Sequence, residues 1–430
     1  MLLNTVIWEC NRFYKEIIVG NGLFGIDKEF VIKNSGVRSV FTPHIPINQE
    51  KHFFGREDEA SRFVSVINTP GQHILVYGDR GVGKTSLAKT SCKVLLPMIM
   101  GVKFIEKRCD SQDTFSTIIK EALKAFDIDV SMRERTLSHN EGGDASIAFG
   151  IGKAGVNSKR ETKTVYSSDI NIDSPSWVAG KLKDKKGIFL VDEADAITSA
   201  SDKHKLAELI KLLSDFNSEF KLVVVGIAKT GSELTAGHPS VERCLKEVQL
   251  KRMTDDGIRQ IILNGFKEVN IIPSDEVTDK IVDISAGLPH FTHLICLKCA
   301  EQAVVDKVRH LGIDILKHAL VDSVKDSENA IKDSYDSCLR SFSKPSEYKV
   351  LLLAAAYCKT PEFRSSELKE KLELRFNIEV QSTLISRRLS SLIDKAHSPI
   401  LERSGRGCFR FIDPRMPSFV KMASGIESGT

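Results

Sequence analysis

Residues His73–Ser86 read HILVYGDRGVGKTS, and this stretch decides how the rest of the chain is interpreted. Its apolar and aromatic residues Ile74–Tyr77 predict a short buried strand. The strand runs directly into the pattern Gly78-x-x-x-x-Gly83-Lys84-Thr85, which opens a predicted helix. A glycine-rich turn between a strand and a helix points successive backbone N–H groups at anionic oxygens. The stretch therefore predicts a phosphate-binding loop.

The glycines, Lys84 and Thr85 of this loop each have a predicted role. Its glycines let the backbone turn, because they adopt conformations that other residues avoid. Lys84 is expected to reach the β- and γ-phosphates, and the Thr85 hydroxyl is expected to ligate Mg²⁺. The predicted nucleotide-binding residues of the loop are Gly78, Asp79, Arg80, Gly81, Val82, Gly83, Lys84, Thr85 and Ser86.

A second chemical pattern lies farther along the chain, where residues 187–195 read GIFLVDEAD. Apolar residues that end in two adjacent carboxylates predict a buried parallel strand whose tip reaches the active crevice. The side chains of neighbouring residues on a strand point in opposite directions, so the two acids are expected to have different roles. Asp192 would hold Mg²⁺, and Glu193 would orient and deprotonate the attacking water.

Two further polar positions complete the predicted chemistry. Lys229, or its neighbour Thr230, follows the next predicted strand and is a candidate sensor of the γ-phosphate. Arg243 precedes a short strand predicted at 248–250. It acts either as an arginine finger across a subunit boundary or as one half of a surface salt bridge. In the first case hydrolysis requires self-association.

Together these motifs resemble an AAA+ ATPase, most closely the origin-recognition/initiator and STAND-like branch. In that branch the core is preceded by a segment similar to Phe54-Gly55-Arg56-Glu57. The resemblance implies ATP and Mg²⁺ as cofactors and Lys84, Glu193 and Arg243 as the catalytic set. Such families often carry a lid arginine at the γ-phosphate, whereas residues 285–290 read SAGLPH here. His290 is expected in that place, where its contact would be weaker and sensitive to pH.

Composition shifts and coarse periodicity predict the domain layout. Helices are expected near 255–268, 275–285, 289–309 and 313–334. The extended segment around residue 45 either touches the adenine of the nucleotide or simply packs on the core. The β-hairpin insertion predicted at 144–168 is locally basic, and it either contacts DNA or faces solvent. The predicted parts are an arm of unknown role at 1–44, an α/β P-loop (AAA+) parallel-sheet core at 45–253 with a β-hairpin insertion at 144–168, an all-α lid at 254–340, and a winged helix-turn-helix domain at 345–422.

The winged helix-turn-helix prediction rests on three helical patterns, at 345–357, 365–376 and 380–395, followed by two short strands within 400–411. Basic residues outnumber acidic ones by four between Gln381 and Arg410. The third helix is expected to enter a major groove while the wing holds phosphates. Winged helices also dock proteins, and this alternative stays open. The predicted DNA-binding residues are Gln381, Ser386, Arg387, Arg388, Arg403 and Arg406.

Composition sets the outer limits of the interpretation. A chain of 430 residues is too long for one core, and a net charge of +4 does not by itself indicate nucleic-acid binding. The nine cysteines show no framework spacing, which favours a reducing cytoplasm. The longest apolar runs fall far short of the roughly 20 residues of a membrane span, so no membrane association is expected.

Two functions are compatible with these patterns, beside a third alternative, a nucleotide-binding scaffold without useful turnover. The first is an ATP-hydrolysing switch that self-associates through the ATPase interface and couples its nucleotide state to double-stranded DNA. The second is a STAND-like defence or signalling ATPase that acts through a separate effector protein, with the winged helix as the docking module.

Overall fold

A computed structural model of the chain describes residues 36–46, 53–92, 102–128, 171–227, 239–358 and 360–427. These residues divide into two compact units. The sheet unit comprises Asp58–Gly78 and Lys84–Leu250. The C-terminal unit comprises the described residues within Met1–Glu57, Asp79–Gly83 and Lys251–Thr430. The predicted hairpin at 144–168, the predicted sensor positions Lys229 and Thr230 and most of the predicted arm at 1–44 lie outside the described residues.

The sheet unit is built on five parallel strands. They are β1 His73–Gly78, β2 Lys103–Arg108, β3 Gly187–Asp192, β4 Phe220–Gly226 and β5 Leu245–Leu250. Their order in the sheet is β2-β3-β4-β1-β5. β3 and β4 are buried at every residue, as the central strands of a parallel sheet are expected to be. The predicted α/β parallel-sheet core is confirmed.

Among the described residues, five helices accompany these strands. They are α1 Glu57–Ile67, α2 Lys84–Thr90, α3 Phe115–Ala125, α4 Pro175–Leu182 and α5 Ala200–Asp215. The side chains of Phe115, Phe189 and Phe220 are fully buried in one apolar cluster. α5 begins at Ala200, because the Ser199 hydroxyl caps it by accepting from the Asp202 N–H. α4 was not predicted from the sequence.

Residues 255–340 of the C-terminal unit are mainly helical. Its elements are α6 Asp255–Glu268, β6 Ile272–Pro273, α7 Asp275–Ser285, α8 Pro289–Val305, β7 His310–Leu311, α9 Ile313–Asp326 and α10 Asn329–Arg340. The single helix predicted at 313–334 was wrong. Ser327 is extended, with its hydroxyl donating to the Ser323 carbonyl, and the chain restarts as α10 with Glu328 at the N-cap. The break brings the Glu328 carboxylate to a helix start.

The remaining elements are α11 Pro345–Ala356, β8 Glu362–Arg364, α12 Ser365–Phe376, α13 Ser382–Leu392, β9 Leu401–Gly405, β10 Cys408–Phe411 and α14 Met416–Glu427. The three strands form an antiparallel sheet in the order β8-β10-β9. The sequence analysis predicted β9 and β10 and missed β8 and α14. α14 packs against α7, α9 and α11, so the final helix joins the helical part of this unit to the last third of the chain.

No helix among the described residues combines the length and the apolar character that crossing a bilayer requires.

Candidate functional site

The loop Gly78–Thr85, called the phosphate loop below, follows directly on β1. Gly81 and Gly83 have φ angles of 86° and 97°, a backbone conformation that residues with a side chain rarely adopt. The Lys84 ammonium donates to the Gly78 carbonyl at 3.0 Å, across the base of the loop. The predicted turn of the backbone is therefore present, and the lysine side chain lies over it.

The carboxylate of Asp192 lies beside the end of this loop. It is 2% exposed, and its Oδ1 accepts from the Thr85 hydroxyl at 3.1 Å and from the Glu193 N–H at 3.0 Å. Burial raises the pKa of Asp192 above its ordinary value, although these two hydrogen bonds oppose the rise and the Glu193 charge adds to it. A hydroxyl and a carboxylate in contact are hard oxygen ligands, which fits Mg²⁺.

Glu193 lies at the turn that follows β3. Its backbone is left-handed, with φ 55° and ψ 40°, and the short 3₁₀ helix Ala194–Ala196 begins after it. Its carboxylate accepts two hydrogen bonds from Arg108, at 2.9 Å from Nε and 2.6 Å from Nη2. The Glu193 side chain is thus held by an arginine that the sequence analysis did not identify.

Arg108 was missed for a local reason. The sequence pattern of residues 102–105 alone predicts a strand that ends at residue 105, whereas β2 extends to Arg108. Arg108 lies opposite Asp192 in the parallel register. A longer β2 would have placed a cation beside the two acids. The hydrogen bonds and charge of Glu193 raise the pKa of the Arg108 guanidinium above its ordinary value.

The tip of the phosphate loop, Asp79–Gly83, belongs to the C-terminal unit. Within that unit Arg56 is buried and its Nη2 donates to the Val82 carbonyl at 3.2 Å and to the Lys251 carbonyl at 2.6 Å. Arg56 comes from the Phe54–Glu57 segment that the sequence analysis recognised without giving it a role. Its guanidinium fixes the backbone of the loop tip.

His290, predicted at the γ-phosphate, lies near the same tip. Its Cβ is 3.8 Å from the point where a Cβ on Gly81 would stand. Its Nδ1 is 2.9 Å from the Pro43 carbonyl. Burial lowers the pKa of His290 more than that hydrogen bond raises it, so the imidazole is neutral near pH 7. A closer neighbour of Gly81 was missed altogether, because the Cδ of Arg415 is 3.6 Å from the same point.

Four further residues were predicted for the site. Asp79 and Arg80 are exposed on the loop, and Ser86 is half-buried in α2. Arg243 is exposed at the end of the 3₁₀ helix Pro239–Arg243, and its carbonyl accepts from Gln72 Nε2 at 2.9 Å.

The predicted DNA-binding residues fall into two groups. Arg388 is ion-paired with Glu347 of α11, and its side chain is only 15% exposed. It therefore connects α13 to α11, and its contact with DNA stays a prediction. The remaining predicted residues are exposed, on α13 or beside it and on the β9–β10 hairpin: Gln381, Ser386, Arg387, Arg403 and Arg406.

Comparison with solved structures gives distant matches. The Walker-type ATPase of Pyrococcus abyssi is 16% identical with a TM-score of 0.48, and the match covers 88% of this chain and 99% of that one. Cdc6p from Pyrobaculum aerophilum is 16% identical with a TM-score of 0.46, covering 91% and 98%. The ORC2 protein of Aeropyrum pernix is 13% identical with a TM-score of 0.47, covering 91% and 98%.

No curated protein matches the sequence. A family model does match, over residues 46–347, which is more than half of the chain, and it describes Novel STAND NTPase 1. This match includes the phosphate loop, both acids of the β3 end and Arg243, and it confirms the predicted resemblance to the STAND-like branch. The chain belongs to the Novel STAND NTPase 1 family of P-loop NTPases.

Proposed function

We propose that this protein binds ATP with Mg²⁺, hydrolyses it, and couples its nucleotide state to the binding of double-stranded DNA. The observation that carries the nucleotide half is the 3.1 Å contact between Thr85 and Asp192, which lie 107 positions apart in sequence. It puts a hydroxyl and a carboxylate at the end of the phosphate loop. Mg²⁺ is commonly held in this way, by one or two protein oxygens together with the substrate phosphates.

The side chains of the sheet unit have distinct roles in this proposal. Thr85 and Asp192 would hold the ion, which when bound neutralises charge on the phosphate oxygens. Lys84 would exchange the Gly78 carbonyl for the β- and γ-phosphates. Glu193 would orient and deprotonate the attacking water, for which its carboxylate must leave Arg108. The described arrangement is then a resting one.

Titration calorimetry with ATP and Mg²⁺ tests the nucleotide half. Lys84→Ala should abolish binding, and Glu193→Gln should keep binding while removing turnover. Lys124→Ala serves as the matched control, because this exposed lysine of α3 pairs with Glu121 of the same helix. Unchanged ATP affinity in Lys84→Ala would overturn the assignment of the loop.

The DNA half rests on exposed cations in the last third of the chain. We propose that α11–α13 with the β8-β10-β9 sheet act as a winged helix-turn-helix. Arg387 is exposed on α13, and Arg403 and Arg406 are exposed on the β9–β10 hairpin. A helix and a hairpin with exposed arginines match a groove contact flanked by phosphate contacts.

The test of the DNA half is duplex binding measured with no nucleotide, with ADP and with a non-hydrolysable ATP analogue, at several salt concentrations. We expect affinity to depend on the nucleotide and to fall steeply with salt, since released counterions drive such binding. Equal affinity in all three nucleotide states would refute the coupling.

A second candidate function is favoured by the family match. In a STAND-type switch, slow hydrolysis times an assembled state, and the same C-terminal elements would dock an effector protein. Two observations would together select it: no binding of duplex DNA at low salt, and ATP-dependent self-association seen by light scattering.

A further inference from the structure

Four charged side chains of the C-terminal unit form a chain that ends at the phosphate loop. Arg80 Nη2 is 3.5 Å from one carboxylate oxygen of Glu328. The other oxygen of Glu328 is 2.6 Å from Arg415 Nη1. Arg415 also binds Asp413 in a two-point contact, at 3.0 Å from Nε and 2.7 Å from Nη2. The set links the loop tip to the start of α10 and to the segment before α14.

The centre of this set is buried and its end at the loop is not. The Arg415 side chain is 5% exposed, whereas that of Arg80 is 69% exposed. Burial alone would raise the pKa of Asp413 and of Glu328, but hydrogen bonds and charge from Arg415 outweigh it and hold both below their ordinary values. Both acids are therefore ionised at neutral pH, and the set of two arginines and two carboxylates is neutral.

The backbone around Arg415 is clamped to the same unit. Arg252 Nη2 donates to the Pro414 carbonyl at 2.6 Å, and its Nη1 donates to the Ala286 carbonyl at 3.3 Å. The aliphatic part of Arg415 lies against Gly81 of the loop. The segment Asp413–Glu427, called the C-terminal segment below, thus begins at the phosphate-loop tip.

We propose that Arg80, Glu328, Arg415 and Asp413 form a charge latch that docks the C-terminal segment on the phosphate-loop tip, and that bound nucleotide opens it. The proposal rests on nucleotide binding at the loop, as proposed above. It adds the part of the chain that responds and the residues that transmit the response.

The direction of the response follows from charge. The Arg80–Glu328 pair is exposed, and such pairs contribute little. Hydrogen bonds from arginine to phosphate are stronger, because both groups are ionised and the contact is commonly two-pointed, so nucleotide phosphates should draw Arg80 away. Glu328, Arg415 and Asp413 then carry a net negative charge beside the bound nucleotide. The resulting repulsion displaces the C-terminal segment, and by linkage the docked segment weakens nucleotide binding.

Glu328→Gln in the full chain tests the latch. The amide can still accept from Arg415, but the excess negative charge is gone. Calorimetry should show tighter binding of adenylyl-imidodiphosphate with Mg²⁺, by up to about fivefold for the loss of an exposed pair. Hydrogen–deuterium exchange of the C-terminal segment should rise on nucleotide addition in the wild type and stay flat in the variant. Glu276→Gln is the matched control, since Glu276 pairs with Lys280 on the surface of α7.

The outcomes separate the latch from the proposed function. If the wild type binds nucleotide and Lys84→Ala does not, but Glu328→Gln binds as the wild type does, the latch is wrong and the nucleotide site stands. Flat exchange of the C-terminal segment in nucleotide-bound wild type overturns the latch without use of any variant. If the wild type binds no nucleotide, both proposals fall together.

Discussion

Asp192 is a residue whose burial is unfavourable for the fold and useful for the site. Burial is the largest cause of its raised pKa. An acid with a higher pKa in the folded state favours unfolding once pH exceeds its unfolded pKa, and this penalty is complete above the folded pKa. We expect Asp192→Asn to stabilise the nucleotide-free protein at pH 7.5 by about 0.5–2 kcal/mol, as removal of a strained functional group often does.

Denaturant unfolding without Mg²⁺, at pH 7.5 and near pH 4, measures this gain, which should shrink towards the lower pH. The variant should also lose Mg²⁺-dependent hydrolysis. Asp195→Asn, which alters an exposed acid of the next turn, should change neither quantity. A destabilised Asp192→Asn protein at pH 7.5 would show that the hydrogen bonds from Thr85 and Glu193 outweigh desolvation.

Arg108 restrains the residue proposed as the base. Its ion pair with Glu193 is two-pointed, but the side chains are 71% and 46% exposed. Exposed pairs contribute about 0.2–1 kcal/mol, so Arg108→Gln should raise steady-state ATP turnover by up to roughly fivefold. ATP affinity should stay the same, because Arg108 lies on β2 and not in the phosphate loop. Lys103→Gln, at the start of β2, is the control, and reduced turnover in Arg108→Gln would show that the arginine helps the reaction.

The residues of the site differ in how far sequence could predict them. Lys84 and Thr85 lie in a local motif, and Asp192 and Glu193 end an apolar run, so the pattern itself carries their placement. The roles of Arg108, Arg56 and Arg415 were missed, although Arg56 lies in a recognised segment. Their roles depend on register, on loop packing and on a segment far away in sequence.

At the scale of elements, periodicity predicted long segments well and breaks poorly. α12 has the predicted bounds, and α6 and α7 match closely. The break between α9 and α10 was missed, because neither Ser327 nor Glu328 is a glycine or a proline. The turn is stabilised instead by the Ser327 hydroxyl. β8 has three residues and pairs with β10, a contact that no local pattern reveals.

The exposure of the α13 and hairpin arginines leads to a prediction about DNA. Arg387→Ala and Arg406→Ala should each weaken duplex binding and reduce the salt slope by about one. Arg410→Ala is the matched control, because Arg410 is already paired with Glu402 across the hairpin at 2.7 Å. Arg388→Ala should lower the denaturation midpoint instead, since it leaves Glu347 without its partner on α13.

Fluorescence anisotropy at several salt concentrations gives the slopes, and thermal unfolding gives the midpoints. If Arg388→Ala lowers the slope as much as Arg387→Ala does, the Arg388–Glu347 pair must open on DNA. If none of the four variants changes the slope, the basic elements do not hold phosphates, and the protein-docking function gains support.

At the scale of the whole molecule, Arg243 decides whether hydrolysis belongs to one chain or to an assembly. It is exposed at the end of its 3₁₀ helix, a placement equally compatible with a partner's nucleotide and with solvent. An arginine finger contributes about 10³–10⁵ in rate, whereas a surface salt bridge contributes almost nothing to catalysis. The two roles therefore differ by far more than any assay error.

Mixing two inactive variants separates these roles. Lys84→Ala cannot bind ATP but carries an intact Arg243, and Arg243→Ala binds ATP but has no finger to offer. If Arg243 acts on a neighbour, the mixture should hydrolyse ATP faster than either variant alone, since some interfaces combine one intact loop with one intact arginine. Turnover per wild-type subunit should also rise with protein concentration. A mixture whose rate is only the average of its components, with turnover that is flat on dilution, would place the whole reaction within one chain.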